Sequence, residues 1–227
     1  MWSLIFNIFN DHMVTMEDIM PTQLFFELPD EKRRTIIFAG ITEFANYGYE
    51  NSSTNRIVKE AGISKGSLFK YFSTKEDFYF YVLDVTANEL ISDLKEKVND
   101  LSKELFQRII EYSALEFSWY ILNPEKSKII VNAFSKTDTD ISQKIEMRYG
   151  KKEQDIYYWL LQDVDTSLFR WDKKKTIEIL KWFLKGFNDD FLRLSQEENY
   201  NDFEKLKKEY INSLSEYIEM LKKGLVK

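Results

Sequence analysis

Side chains able to make or break covalent bonds are sparse in this sequence. The single histidine, His12, has no companion from which to build a catalytic triad or a metal site. Cysteine is absent, which excludes a thiol nucleophile, a disulfide and a thiolate metal site and is compatible with a reducing cytoplasm. There is no phosphate-binding glycine loop and no zinc motif. Asp138 with Asp140, or Asp189 with Asp190, could pair as carboxylates, but capping a helix or facing water suits them better. No catalytic residue, metal or cofactor is therefore assigned. The chemistry on offer is hydrogen-bond donation and positive charge. Between Ser52 and Lys75 stand Arg56, Lys59, Lys65, Lys70 and Lys75 against Glu60 alone, in a chain whose formal net charge is −6. Such a local reversal attracts phosphate, because salt screening lets the nearest charges dominate.

Those residues need elements to hold them. With only 7 glycines and 3 prolines in 227 residues, tight turns are few, and an all-helical chain is expected. Residues 1–29 show no sustained periodicity and read as a poorly ordered extension, with Met20 as an alternative start. A first helix is predicted from Asp30, a capping residue behind Pro29, to Asn46, with Gly48 as its left-handed stop. A short helix follows Ser52 and Ser53 and reaches Ala61. Ser64 caps a third, Lys65 to Phe72, and Ser73-x-x-Glu76 resembles a capping box for a fourth. Longer amphipathic helices are predicted over residues 75–98, 101–122, 125–134, 141–162, 173–195 and 202–225. No apolar run approaches the roughly 20 residues of a membrane span, so no membrane partner is expected.

In the stretch GYENSSTNRIVKEAGISKGSLFKYFSTK, two short helices meet at Ala61-Gly62-Ile63-Ser64. Gly62 permits the positive φ of the turn and Ile63 fills the space between the helices. Ile57, Val58 and Ala61 face inward from the first helix, Leu68 and Phe72 from the second. A pair of this kind lays its second helix in the major groove of double-stranded DNA, N-terminal residues over the base edges. Lys65, Gly66 and Ser67 start that helix and are small apart from the lysine, so the backbone can come close. Lys70, Tyr71 and Lys75 carry donors for phosphate oxygens, and the hydroxyls of Ser53 and Thr54 suit another.

The pattern Phe44, Gly48, Tyr49, Ser53, Ile57, Ala61-Gly62-Ile63-Ser64, Lys65-Gly66-Ser67-Leu68, Tyr71-Phe72 and Lys75-Glu76 resembles the TetR family of bacterial regulators over about Asp30 to Leu90. The resemblance implies three parts: an extension (1–29), a helix-turn-helix DNA-binding domain (30–90, motif 53–72) and an effector-binding and dimerising domain (91–227). It also implies that 64–72 is the recognition helix and that Lys75 ties the next helix to phosphate. Phe69 departs from the family, which usually has tyrosine there; a phenyl ring offers sugar or a thymine methyl a packing surface instead of a hydroxyl.

The C-terminal part matches the family only in length and helical character. Leu180, Leu184, Phe187 and Phe191 recur at steps of three and four, as do Leu206, Tyr210, Leu214 and Tyr217. Such seams suit a four-helix homodimer interface, the arrangement the family has. Phe117, Trp119, Tyr120, Phe134, Tyr157, Tyr158 and Trp159 are candidates to line a pocket for an apolar or amphipathic effector, although aromatic residues at helical spacing also make ordinary core. The expected function is a DNA-binding regulator, a repressor released from its operator by a small molecule. The rival is a helical ligand-binding or scaffolding protein without operator binding.

Overall fold

A computed structural model of the chain describes residues 21–135, 139–149, 164, 165, 167, 169–197 and 203–225. The described elements are all helical: α1 (Gln23–Phe26), α2 (Asp30–Asn51), α3 (Thr54–Glu60), α4 (Lys65–Tyr71), α5 (Lys75–Val98), α6 (Leu105–Leu122), α7 (Pro124–Ser135), α8 (Asp140–Tyr149), α9 (Lys173–Glu197) and α10 (Phe203–Leu225). The all-helical expectation holds. Predicted residues 150–162 lie outside the described residues. The chain divides into two compact units. Described residues of Asp11–Ile91 and Asn123–Arg148 form one; those of Ser92–Leu122 and Tyr149–Lys227 form the other.

The first unit is built on α2, whose Ile36, Ala39, Phe44 and Ala45 are buried. At Gly40 a Cβ would lie 2.7 Å from the ring of Phe78 and 2.9 Å from Val82, so α2 and α5 approach as closely as backbone permits. Gly48 does adopt a left-handed conformation, φ 67°, but it kinks the helix rather than ending it, and helical turns resume to Asn51. The capping box of α5 is one residue later than expected. Thr74 Oγ1 accepts from the Asp77 amide at 3.0 Å, and the Thr74 amide donates to Asp77 Oδ2 at 2.9 Å. Ser73 and Thr74 both have an acid three residues on, and the helix entry selects the second pair.

Two later helices belong to the same unit. The Asn132 side chain on α7 donates to the carbonyl of Ala45 at 3.0 Å, just ahead of the kink, and Thr42 donates to Glu125 at 3.0 Å. From α8, Lys144 pairs with Glu76 at 2.6 Å and Arg148 with Asp84 at 2.6 Å. The second pair is largely buried, so it holds by shape and charge together.

Residues 21–29 correct the expectation of a poorly ordered extension. The Thr22 amide donates to Tyr71 O at 2.9 Å and its hydroxyl to Lys70 O at 2.7 Å. These two bonds satisfy carbonyls at the end of α4 that a helix terminus leaves unpaired. Phe25 is fully buried, its ring centroid 4.9 Å from Phe72, 5.5 Å from Tyr81 and 5.9 Å from Tyr71. Arg33 ties the segment down by donating to the carbonyls of Phe26 and Leu28.

In the second unit, α6, α9 and α10 share a core of Leu180, Leu184, Leu214 and Ile218. Phe117 of α6 stacks on Tyr210 of α10 at 4.8 Å, and the Tyr210 hydroxyl donates to Asn188 at 2.7 Å. Replacing Phe25 with alanine empties the aromatic nest behind α4. Chemical denaturation of Phe25→Ala should show a loss of about 3 kcal/mol, the cost of deleting a buried phenyl ring.

Candidate nucleic-acid interface

α3 and α4 are seven residues each, too short to be stable alone, so their pose is set by what they lean on. Ile57 and Ala61 on one side and Leu68 and Phe72 on the other are buried. Between the helices Gly62 takes φ 61°, and the Ile63 amide returns to Val58 O at 3.0 Å. Lys32, reaching from α2, donates to the carbonyls of Ala61 and Gly62 at 3.0 and 3.2 Å and so places a cation on the C-terminal end of α3. The Ser64 hydroxyl caps α4 by accepting from the Ser67 amide at 3.0 Å.

A buried acid organises the junction of α2 and α3. Glu43 accepts from the Ser53 amide at 2.7 Å and from Nε of Arg56 at 2.9 Å. Arg56 also lies over the Tyr47 ring at 4.1 Å, and its hydrogen bonds to Glu43 push its guanidinium above the usual range. Its charge is thereby paired with Glu43, although the side chain is exposed. Lys75 is engaged in a similar way. Its ammonium donates to Tyr49 O at 2.8 Å and Ser52 O at 3.3 Å and sits 4.4 Å from the Tyr49 ring. Burial and then the Glu76 charge push the Tyr49 phenol up.

Of the basic residues counted in the sequence, Arg56, Lys59, Lys65 and Lys70 are exposed, Arg56 with its guanidinium paired to Glu43. At the start of α4, Lys65 and Gly66 are exposed and Ser67 is half-buried, its hydroxyl 2.8 Å from that of Ser64. Phe69 is 38 % exposed, a large apolar ring on the same short helix. Tyr71 is half-buried against Phe25, while Ser53 and Thr54, half-buried at the head of α3, make no side-chain cap bond. At Gly66 an added Cβ would meet only the Ser64 hydroxyl, at 3.8 Å, so nothing inside the protein requires glycine there. The structure thus gathers Lys65, Gly66, Ser67, Phe69 and Lys70 on one short helix, with Ser53 and Thr54 at the head of the preceding one. Sequence reasoning missed Thr22, Phe25, Lys32 and Glu43, whose partners are remote in the chain.

The other predicted sites separate. Phe117 and Trp119 are buried; the Trp119 indole donates to Asp93 at 2.9 Å. Tyr120 is an edge-on neighbour of Trp119 at 5.6 Å. Tyr157, Tyr158 and Trp159 lie outside the described residues, as does the side chain of Phe134. The expected dimer seam needs correcting. Leu180, Leu184, Tyr210 and Leu214 are at most 3 % exposed, because they pack within their own unit and leave no surface for a partner. Leu206, Phe187 and Phe191 are half-buried. Among the described residues, the exposed large apolar side chains of α9 and α10 are Ile179, Trp182, Tyr217 and Met220. A groove of about 280 Å³ beside them is lined by Phe183, Phe187, Phe191 and Tyr217.

Two short helices set by a glycine turn, the second capped by serine and offering a small polar N-terminal face, define a helix-turn-helix protein. Residues 36–82 match the sequence model of the bacterial regulatory proteins of the tetR family. A curated HTH-type transcriptional regulator of Staphylococcus aureus strain bovine RF122 / ET3-1 is 42 % identical over 57 residues, 25 % of this chain and 31 % of that one. A second, from strain USA300, is 35 % identical over 71 residues, 30 % of this chain and 38 % of that one. The matched segment thus spans only about a third of the curated relatives' own length. The likeness in fold extends further. A TetR family transcriptional regulator from Chloroflexus aurantiacus J-10-FL superposes with TM-score 0.60 at 21 % identity, covering 92 % of this chain and 99 % of that one. The transcriptional regulator FadR from Bacillus subtilis, in complex with stearoyl-CoA, gives TM-score 0.58 at 19 % identity, covering 80 % and 97 %.

A glutamine at position 66 separates folding from binding. Gly66→Gln should keep or slightly raise stability, since glycine costs a helix up to about 1 kcal/mol. It should weaken DNA binding at least tenfold, read by thermal melting and fluorescence anisotropy. Unchanged affinity would remove Gly66 from the interface.

Proposed function

We propose that the chain is a transcriptional regulator that binds operator DNA as a homodimer, a repressor released by a small effector. The observation that carries the reading is the N-terminal face of α4, where Lys65 and Gly66 are exposed beside half-buried Ser67 and Gly66 has no internal reason to be glycine. Lys70, with Ser53 and Thr54, flanks that face with phosphate donors, and Phe69 offers an apolar surface to sugar or a thymine methyl. Lys75 uses two of its three donors to hold the α2–α3 junction and offers the third to phosphate.

One such face has little affinity, and paired heads about 34–36 Å apart read two half-sites one helical turn apart. The exposed Ile179, Trp182, Tyr217 and Met220 make the α9–α10 face the seam for that pairing. The second unit is the effector domain, and the stearoyl-CoA complex of the Bacillus subtilis neighbour supports an apolar or amphipathic ligand. α5 contributes residues to both units, which makes it the lever by which effector and operator exclude one another. Their coupling is expected at about 1–3 kcal/mol, the same in either direction.

Anisotropy with DNA from upstream of the gene, or with sites selected from the genome, tests the reading across a salt series. The expected result is tight, sequence-selective binding that weakens steeply with salt. Failure of selectivity in both sets would leave a helical ligand-binding protein. Lys75→Ala should weaken binding to all sequences alike and lower the salt slope by about 1. An unchanged slope would confine Lys75 to its internal role. Trp182→Glu should shift the protein from dimer to monomer in sedimentation and cost operator affinity with it; a dimer unaffected by the change would move the seam elsewhere.

A further inference from the structure

Three acids are buried among the described residues. Two have cations. Glu43 is bonded to Arg56, and Asp84 to Arg148. The third, Glu116 of α6, is 2 % exposed, and its Oε1 has no hydrogen-bond partner. Burial pushes its carboxyl well above the usual range. A buried carboxyl oxygen without a hydrogen bond costs stability and leaves an acceptor that a ligand's donor can take.

The surroundings say which ligand. The phenols of Tyr120 on α6 and Tyr210 on α10 are both raised, first by burial and then by the Glu116 charge, so both lie within its field. Tyr210 stacks on Phe117, and Phe187 and Phe191 of α9 lie 5.4 and 5.1 Å from its ring. Thr176 of α9 supplies another fully buried polar atom of the same unit, Oγ1, without a partner. An anion would keep this carboxyl in its neutral form, whereas a cation draws it into the ionised one. Set amid aromatic faces, the carboxyl favours a cation twice over, through a charge-assisted hydrogen bond and through the ring quadrupoles.

We infer that Glu116 is the recognition group of the effector site and that the effector is an organic ammonium ion, its N–H donors on Glu116 and its apolar body against Phe117 and Tyr210. This rests on the reading of the second unit as an effector domain. It departs from the stearoyl-CoA held by the Bacillus subtilis neighbour, which is an anion.

The test titrates the full-length protein with a series of primary alkyl- and arylalkylammonium ions, the carboxylates of the same skeletons, and stearoyl-CoA. Binding is read by calorimetry and thermal shift, and operator release by anisotropy. Ammonium ions of one size range should raise the melting temperature and release the operator, whereas the matched carboxylates should not. Glu116→Gln should weaken ammonium binding at least tenfold while melting no lower than wild type, and Glu116→Leu should do the same, because each removes an unpartnered buried acid. A melting temperature that falls with ammonium binding intact would make Glu116 a structural residue and overturn the inference. Binding of carboxylates or stearoyl-CoA alone would also overturn it, yet leave the effector domain standing. No binding by any compound would overturn it as well, and operator binding in the same assay would then show whether the regulator reading survives.

Discussion

A helix of seven residues cannot hold itself in water, and α4 is such a helix. Much of the first unit answers that constraint. Ser64 caps its start, the Gly62 turn fixes its angle to α3, and Leu68 and Phe72 bury its inner side. Thr22 takes the carbonyls at its end, and Phe25 joins Phe72, Phe78 and Tyr81 in an aromatic nest behind it. The outer side is thereby free to be chosen for contact alone. Small residues at its N-terminus are affordable only because stability is supplied from behind.

The same logic separates the positive charge that faces outward in this acidic chain from the charge that does not. Arg56 and Lys75 sit in the basic stretch and also serve architecture, one neutralising buried Glu43 and the other bridging carbonyls at the α2–α3 junction. The outward charge is carried by Lys59, Lys65 and Lys70. A count of charges along the sequence overstates the electrostatic face, because it cannot tell a solvated lysine from one holding the backbone. In the second unit a buried acid, Glu116, keeps one carboxyl oxygen without a hydrogen bond, which costs stability unless a ligand takes it.

What was legible in the sequence follows from range. α3, α4 and α5 were read to within a residue or two, since their caps and the Gly62 turn are local signals. The tetR-type pattern was legible because its residues fall at fixed spacing in one unbroken stretch. The segment around Phe25 was not legible, since its order comes from contacts with residues some 45–55 positions away. The Glu43–Arg56 pair was equally invisible, being formed between two helices. The dimer seam was read onto Leu180 and Leu214 because a heptad rhythm marks an apolar stripe without saying what covers it. Here the regular stripe is the chain's own core, and the accessible surface lies beside it at Trp182 and Met220.

The orientation of α4 on DNA is the claim on which the functional account stands, and the absence of cysteine gives direct access to it. Phe69→Cys introduces a unique thiol on the exposed side of α4, to which an iron chelate that cleaves nearby DNA can be attached. Bound to a selected operator, the labelled protein should cut in two clusters, each within the major groove and about one helical turn apart. Scattered cleavage, or none on DNA that the unlabelled protein protects, would mean that α4 does not enter the groove and that the affinity resides elsewhere.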